Sequence, residues 1–212
     1  MKTAIIGLGN IGSRLATNLV KGGQQILIAD HTYEKAESLA EKLGTLALPS
    51  YIEDVVEKAD VIILTIWFSG IQEFFKTYDT QLAGKIIVDP SNPLGPDGQG
   101  GFKKIIPADQ SSGQILANLL PVGVNLVKAF GTLGADSLGK AAFREPERAV
   151  LFYAADNESA GLKVAELIKV SGFDPFYAGD LNKSLRLEVS GDLHEFGPLG
   201  KLVTVDEAKD LV

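Results

Sequence analysis

The chain has 212 residues, with 20 Lys and Arg against 27 Asp and Glu, for a net charge of −7. That length suits one domain with a small appendage, and the acidic balance argues against a nucleic-acid or anionic-membrane surface. The lack of Cys excludes disulfides, thiol nucleophiles and thiolate metal sites, and two histidines, His31 and His194, are too few for an imidazole cluster.

In chain order, Thr3–Ile6 reads as a short strand running straight into glycines. It lacks the apolar stretch of a signal peptide, and no apolar run approaches the ~20 residues that span a bilayer, so a cytoplasmic location is expected. Next comes Gly7-Leu8-Gly9-Asn10-Ile11-Gly12, a G-x-G-x-x-G turn followed by a helix marked by Ile11, Leu15 and Leu19. Gly7 permits a tight turn, Gly9 lets backbone approach a pyrophosphate, and Gly12 lets the helix pack on the strand. The helix N-terminus then offers unpaired N–H groups to the anion.

The second strand, Gln25–Ala29, ends on Asp30, 18 residues after Gly12 (30 − 12). An acidic residue at about this distance accepts the adenine-ribose hydroxyls, so the combined context indicates dinucleotide binding. A carboxylate there repels a 2′-phosphate and favours NAD, whereas His31, Thr32 and Lys35 could receive that phosphate; the residues lean to NAD. Thr32 is a candidate N-cap for a helix through Ala36, Leu39, Ala40 and Leu43.

Val61–Ile66 and Lys85–Val88 read as strands, followed by Trp67-Phe68-Ser69 and Ser91-Asn92-Pro93. In a doubly wound sheet the ligand lies beyond the carboxyl ends of the strands. Trp67 and Phe68 are therefore candidate walls for a flat ring, with core packing as the alternative. Asn92 is a candidate hydrogen-bonding partner for a carboxamide or ribose, or else a turn residue before Pro93. Pro93–Gln110 is rich in Gly and Pro and long enough to act as a lid over a second substrate. Lys103, Lys104, Arg144 and Arg186 could meet an acidic substrate tail, although a solvated surface role is the plainer reading for each.

A helix over Ser111–Leu120 is followed by strands Asn125–Phe130, Ala149–Ala154 and Phe173–Ala178, with a helix behind Asn157 between the last two. Continuous Val, Ile and Leu runs mark strands covered on both faces, and their alternation with helices predicts a doubly wound, mostly parallel α/β sheet of the Rossmann type. The expected division is a nucleotide-binding domain over 1–180 and an extension over 181–212 near the active site or a dimer interface. His194, in that extension, is a candidate proton donor or else a surface or capping histidine.

The Gly7–Gly12 turn, Leu64-Thr65-Ile66-Trp67, Asp89-Pro90-Ser91-Asn92-Pro93 and Val127-Lys128-Ala129-Phe130-Gly131-Thr132-Leu133 together resemble the NADPH-dependent F420 (deazaflavin) reductase family. The resemblance extends through Asp192-Leu193-His194. It implies a homodimeric Rossmann oxidoreductase moving hydride between nicotinamide and a deazaflavin or similar flat, small-molecule acceptor such as a flavin. It further implies that Leu8, Gly9, Asn10 and Ile11 hold the pyrophosphate and that Asp30, His31 and Lys35 surround the ribose. Ile66, Trp67, Asn92 and Ala129 would face the nicotinamide, with Trp67, Phe68, Phe130 and His194 as candidate acceptor contacts. Family members that use NADP tend to carry Ser-Arg-Arg where this chain has Asp30-His31-Thr32, so the resemblance indicates NADP while Asp30 indicates NAD. Two other readings stand beside it: a small imine or carbonyl reductase, and a non-catalytic dinucleotide sensor that docks a partner.

Overall fold

Runs of Val, Ile and Leu build the centre of the structure. The computed structural model, which describes residues 1–212, contains ten strands and nine α-helices. The first half runs β1 (Thr3–Ile6), α1 (Asn10–Lys21), β2 (Ile26–Ala29), α2 (Tyr33–Leu43), β3 (Ala47–Pro49), α3 (Ile52–Lys58), β4 (Val61–Leu64), α4 (Phe68–Thr77) and β5 (Ile86–Asp89). The second half runs β6 (Leu94–Pro96), β7 (Phe102–Lys104), α5 (Ser112–Ala117), β8 (Asn125–Lys128), α6 (Ala135–Lys140), β9 (Val150–Ala155), α7 (Glu158–Val170), β10 (Asp174–Tyr177), α8 (Ser184–Leu187) and α9 (Val205–Lys209).

Eight strands form one sheet in the order β10-β9-β8-β5-β4-β1-β2-β3. Side chains alternate between its two faces, as the period-2 geometry of a strand requires. Ile5, Ile63, Val88 and Val127 join a core with α1 and α7, while Ala4, Ile62, Ile87 and Leu126 join a second core with α3, α4 and α5. Each fully buried aliphatic side chain contributes about 1.5–3 kcal/mol, so the central strands need no polar face.

The doubly wound α/β architecture is as expected, with four local differences. All neighbouring strands are parallel except β8 and β9, so β9 and β10 run against the other six. The stretch Pro93–Gln110 is not structureless: β6 and β7 pair antiparallel within it as a hairpin. The short strand β3 and helix α3, too brief for a strong periodic signal, fill the region before β4. The Ser111–Leu120 helix ends early, at Ala117, with the Ser111 hydroxyl capping it by accepting from the Gln114 N–H.

The last thirty-odd residues are attached through a third apolar cluster. Val150, Phe152 and Ala154 of β9 meet Ala178, Leu187, Leu193, Val203 and Ala208 there. Leu193 is 1% exposed. Leu193→Ala should lower the unfolding free energy by about 2–4 kcal/mol, the range for a buried Leu truncation, and speed proteolysis near residues 188–200. Chemical denaturation and limited proteolysis would check both.

Candidate active site

From β1 the chain moves outward to β2 and β3, then returns to the opposite flank of β1 with β4. Strand order reverses there, and an open α/β sheet binds ligands in the crevice this creates. A cleft of about 360 Å³ lies at that position. Its lining comes from the turns after β1 (Gly9, Asn10, Ile11), β4 (Thr65, Ile66, Trp67), β5 (Pro90, Ser91, Asn92) and β8 (Phe130, Gly131), closed by Val189, His194 and Phe196 of the C-terminal segment.

The Gly-rich turn has the shape a pyrophosphate requires. Gly7 sits at φ +95°, a conformation other residues rarely adopt. A Cβ on Gly12 would lie 1.9 Å from the Gly7 carbonyl oxygen, so only glycine lets α1 approach β1 this closely. A Cβ on Gly9 would meet no atom within 4 Å: its direction is open cleft at the N-cap of α1. The Thr65 hydroxyl, donating to the Ile6 and Gly7 carbonyls, ties the β4 turn to the β1 turn. These residues fit a nicotinamide dinucleotide.

Asp30 follows the end of β2 and lies beside the Gly-rich turn, as its spacing suggests. Its side chain is 3% exposed and turns onto the Gly-rich loop, where Oδ2 accepts from the Leu8 N–H at 2.7 Å and from Lys35 Nζ at 3.1 Å. His31 Nδ1 lies 2.6 Å from Oδ1, and the Thr32 N–H donates to the same oxygen at 3.4 Å. Burial pushes the Asp30 carboxyl up, but the Leu8 N–H, Lys35 and the Thr32 N–H outweigh it and hold its pKa below the usual carboxylate value. Thr32 stands at the N-cap of α2 without a side-chain capping bond.

At the β4 end of the cleft, Trp67 is 61% exposed at the lip and faces Phe102 of the β6–β7 hairpin, with ring centroids 5.9 Å apart. Phe68 does not wall the cleft. As the first residue of α4 it points into the core beneath the sheet with Ile71 and Phe75, because entry into a helix rotates consecutive side chains about 100° apart. Ala129 is likewise buried in the main core and not in the cleft lining, whereas Phe130, at φ +64°, lines it. The Asn92 amide is occupied by protein: Oδ1 accepts from the Val189 N–H at 2.6 Å and Nδ2 donates to the Gly131 carbonyl at 3.3 Å. Three of the four basic candidates, all but Lys103, are also engaged. Lys104 donates to the Ala108 and Gln110 carbonyls, Arg144 to the Glu147 carbonyl, and Arg186 to Asp192 and the Leu211 carbonyl.

His194 is 1% exposed, not a surface histidine. Its Nδ1 accepts from the Phe196 N–H at 3.0 Å, which puts the proton of the neutral ring on Nε2. Burial pushes its pKa below 6.5, while Glu195 and the Gly131 carbonyl pull it partly back. Glu195 itself accepts from the Gly134 N–H and from the Ser137 hydroxyl, fixing the start of α6 beside the cleft.

Sequence reasoning missed a set of buried charges behind the cleft floor. Lys128 is 1% exposed, with Nζ 2.7 Å from Asp89 Oδ2 and 3.7 Å from Glu188 Oε1. It also donates to the Ser91 carbonyl and, at 2.9 Å, to the Ser112 hydroxyl. The available signal was a lysine closing a strand directly after the apolar pair Leu126 and Val127.

Residues 2–93 match the family model described as NADP oxidoreductase, coenzyme F420-dependent. An F420-dependent NADP reductase of Methanocaldococcus jannaschii is 28% identical over 200 residues, 89% of this chain and 88% of that protein. Over most of its length the chain is thus similar to F420-dependent NADP reductases. The rat metalloreductase STEAP3 is 30% identical over 187 residues, 88% of this chain, although the chain spans only 36% of that protein's length. A hypothetical protein of Sinorhizobium meliloti shares the fold across 96% of this chain and 95% of its own, with a TM-score of 0.84 and 28% identity.

The two later glycines of the turn should separate cleanly. Gly9→Ala should fold normally and lose dinucleotide affinity by about tenfold or more, since its Cβ enters the open anion site. Gly12→Ala should lower the melting temperature. Thermal melts with and without NADPH distinguish the two.

The depressed pKa of His194 also gives a pH dependence. Below its ordinary value of 6.5 the unfolded chain takes up a proton that the folded chain does not, so stability falls as pH drops from there towards the lower native pKa. His194→Gln should flatten that part of the stability–pH curve, measured by urea unfolding across the range.

Proposed function

We propose that the chain binds NADPH across the switch-point cleft and exchanges hydride with a flat ring acceptor of the deazaflavin or flavin class. The observation that carries this reading is the convergence of four strand-end turns on one cleft, with an open Gly9 at one end and an exposed Trp67–Phe102 pair at its lip. When bound, the dinucleotide supplies the hydride-carrying nicotinamide carbon. The protein's part is orientation and exclusion of water, which is most of what hydride transfer between two rings requires.

The N–H groups of Asn10 and Ile11, in the first turn of α1, hold the pyrophosphate. Phe130, Leu133 and Phe196 cover the reacting end with apolar surface. Trp67 and Phe102 offer the second ring a face to stack on. His194, a neutral imidazole in the cleft lining, is the proposed polar contact for the acceptor.

The surroundings of Asp30 support NADP over NAD. Asp30 already serves four protein donors and faces inward, while Lys35 and His31, with side chains 47% and 85% exposed, lie outward where a 2′-phosphate would sit. NADPH is therefore the proposed cofactor. A homodimer and a cytoplasmic location belong to the same proposal and rest on the family resemblance.

Trp67 is the only tryptophan, so its emission reports on the cleft. NADPH should quench it saturably at lower concentration than NADH. Lys35→Ala should weaken NADPH about tenfold, the size of one charge-assisted hydrogen bond, and leave NADH unchanged. A preference for NADH would return Asp30 to the ribose-reading role, and quenching by neither would remove the dinucleotide reading. Steady oxidation of NADPH by a deazaflavin or flavin separates the enzyme from a non-catalytic sensor.

A further inference from the structure

Four buried side-chain atoms have no hydrogen-bond partner: Thr3 Oγ1, Ser91 Oγ, Thr132 Oγ1 and Glu188 Oε2. Of these residues only Ser91 lines the cleft. Leaving a buried hydroxyl unpaired costs about 1–3 kcal/mol, so its presence in a cleft points to a ligand that completes it.

The surroundings of Ser91 hold it in place. Its N–H donates to Asp89 Oδ1 at 2.8 Å, and its carbonyl accepts from the buried Lys128 ammonium, so both backbone groups are fixed by the same ion pair. The Ser112 hydroxyl accepts from Lys128 at 2.9 Å and donates to Glu188 Oε1 at 2.8 Å, which locks the pair to the C-terminal segment. Behind Ser91 the β5 and β8 turns touch closely: a Cβ on Gly131 would lie 2.8 Å from the Pro90 carbonyl oxygen. Its neighbour Asn92 has both ends of its amide engaged. The side chain left free to meet a ligand on the β5 turn is therefore the serine.

We propose that Ser91 Oγ is the hydrogen-bonding group that orients the nicotinamide carboxamide, and that Lys128 is the positioning residue that holds it there. This rests on the dinucleotide reading given above and goes further by naming the contact. A hydroxyl both donates and accepts, matching the C=O and NH₂ of a primary carboxamide. With the pyrophosphate on α1, the ring of the same ligand extends towards the β4 and β5 turns, where Ser91 stands.

The test compares two probes by calorimetry: NADPH, and 2′-phospho-ADP-ribose, which is the same ligand without the nicotinamide. Ser91→Ala should weaken NADPH about tenfold, leave 2′-phospho-ADP-ribose unchanged, and keep the melting temperature, because Oγ has no protein partner to lose. Ser91→Thr, which keeps the hydroxyl, should recover most of the NADPH affinity. Lys128→Met should likewise weaken NADPH more than 2′-phospho-ADP-ribose. Equal weakening of both probes by Ser91→Ala, or no change in either, would overturn the assignment. Failure of the unmodified protein to bind 2′-phospho-ADP-ribose would instead overturn the NADP(H) reading beneath it.

Discussion

Lys128 carries a positive charge into a part of the protein where water does not reach, and much of the cleft is arranged around keeping that charge satisfied. Asp89 neutralises it from β5, the Ser91 carbonyl and Ser112 hydroxyl take its remaining donors, and Glu188 approaches from the C-terminal segment. Two carboxylates against one ammonium make a cluster whose parts cannot be removed singly. Breaking a buried ion pair from one side costs about 3–5 kcal/mol, because the other charge is left without a partner. Apolar packing tolerates small slips, whereas a set of short polar contacts does not. The cluster therefore fixes the relative placement of β5, β8, α5 and the residues that close the cleft.

At the other end of the cleft, Asp30 plays a comparable part. Its carboxylate accepts from the Leu8 N–H and so braces the Gly-rich turn from outside, while Lys35 balances its charge and His31 contacts its other oxygen. An anion at the start of α1 is held by backbone dipoles, and the turn presenting them is kept in shape by a buried negative group on the next strand. The residue that sequence spacing assigns to a ribose is, in the folded chain, also a partner of the Gly-rich turn.

How much of this was legible beforehand depended on whether the information was local. The apolar runs of β1, β4, β5 and β8 and the glycine spacing of the first turn declare themselves within a few residues, and so does the Asn157 cap of α7, whose side chain accepts from the Ala160 N–H. Strand direction is not local: nothing in Val150–Ala155 distinguishes a parallel from an antiparallel neighbour. Phe68 and Trp67 are adjacent aromatics with opposite fates, decided by where α4 begins. The occupied amide of Asn92 depends on Val189, 97 positions away, and the burial of Lys128 on a glutamate 60 positions later (188 − 128), so neither was visible in the motifs that contain them.

The reversal of β9 and β10 bears on how the protein is made. Because these strands run against the rest, the chain leaves β10 at the edge of the sheet opposite the cleft and must travel back before Glu188, Val189 and His194 can reach it. A ribosome delivers the chain from its N-terminus, so the Gly-rich turn emerges well before the wall that closes the cleft. Until that wall follows, the nascent polypeptide carries the turn with no roof, and Lys128 has Asp89 as its only carboxylate partner. Completion of the cleft and completion of the charge cluster thus coincide in one event, the docking of a single segment.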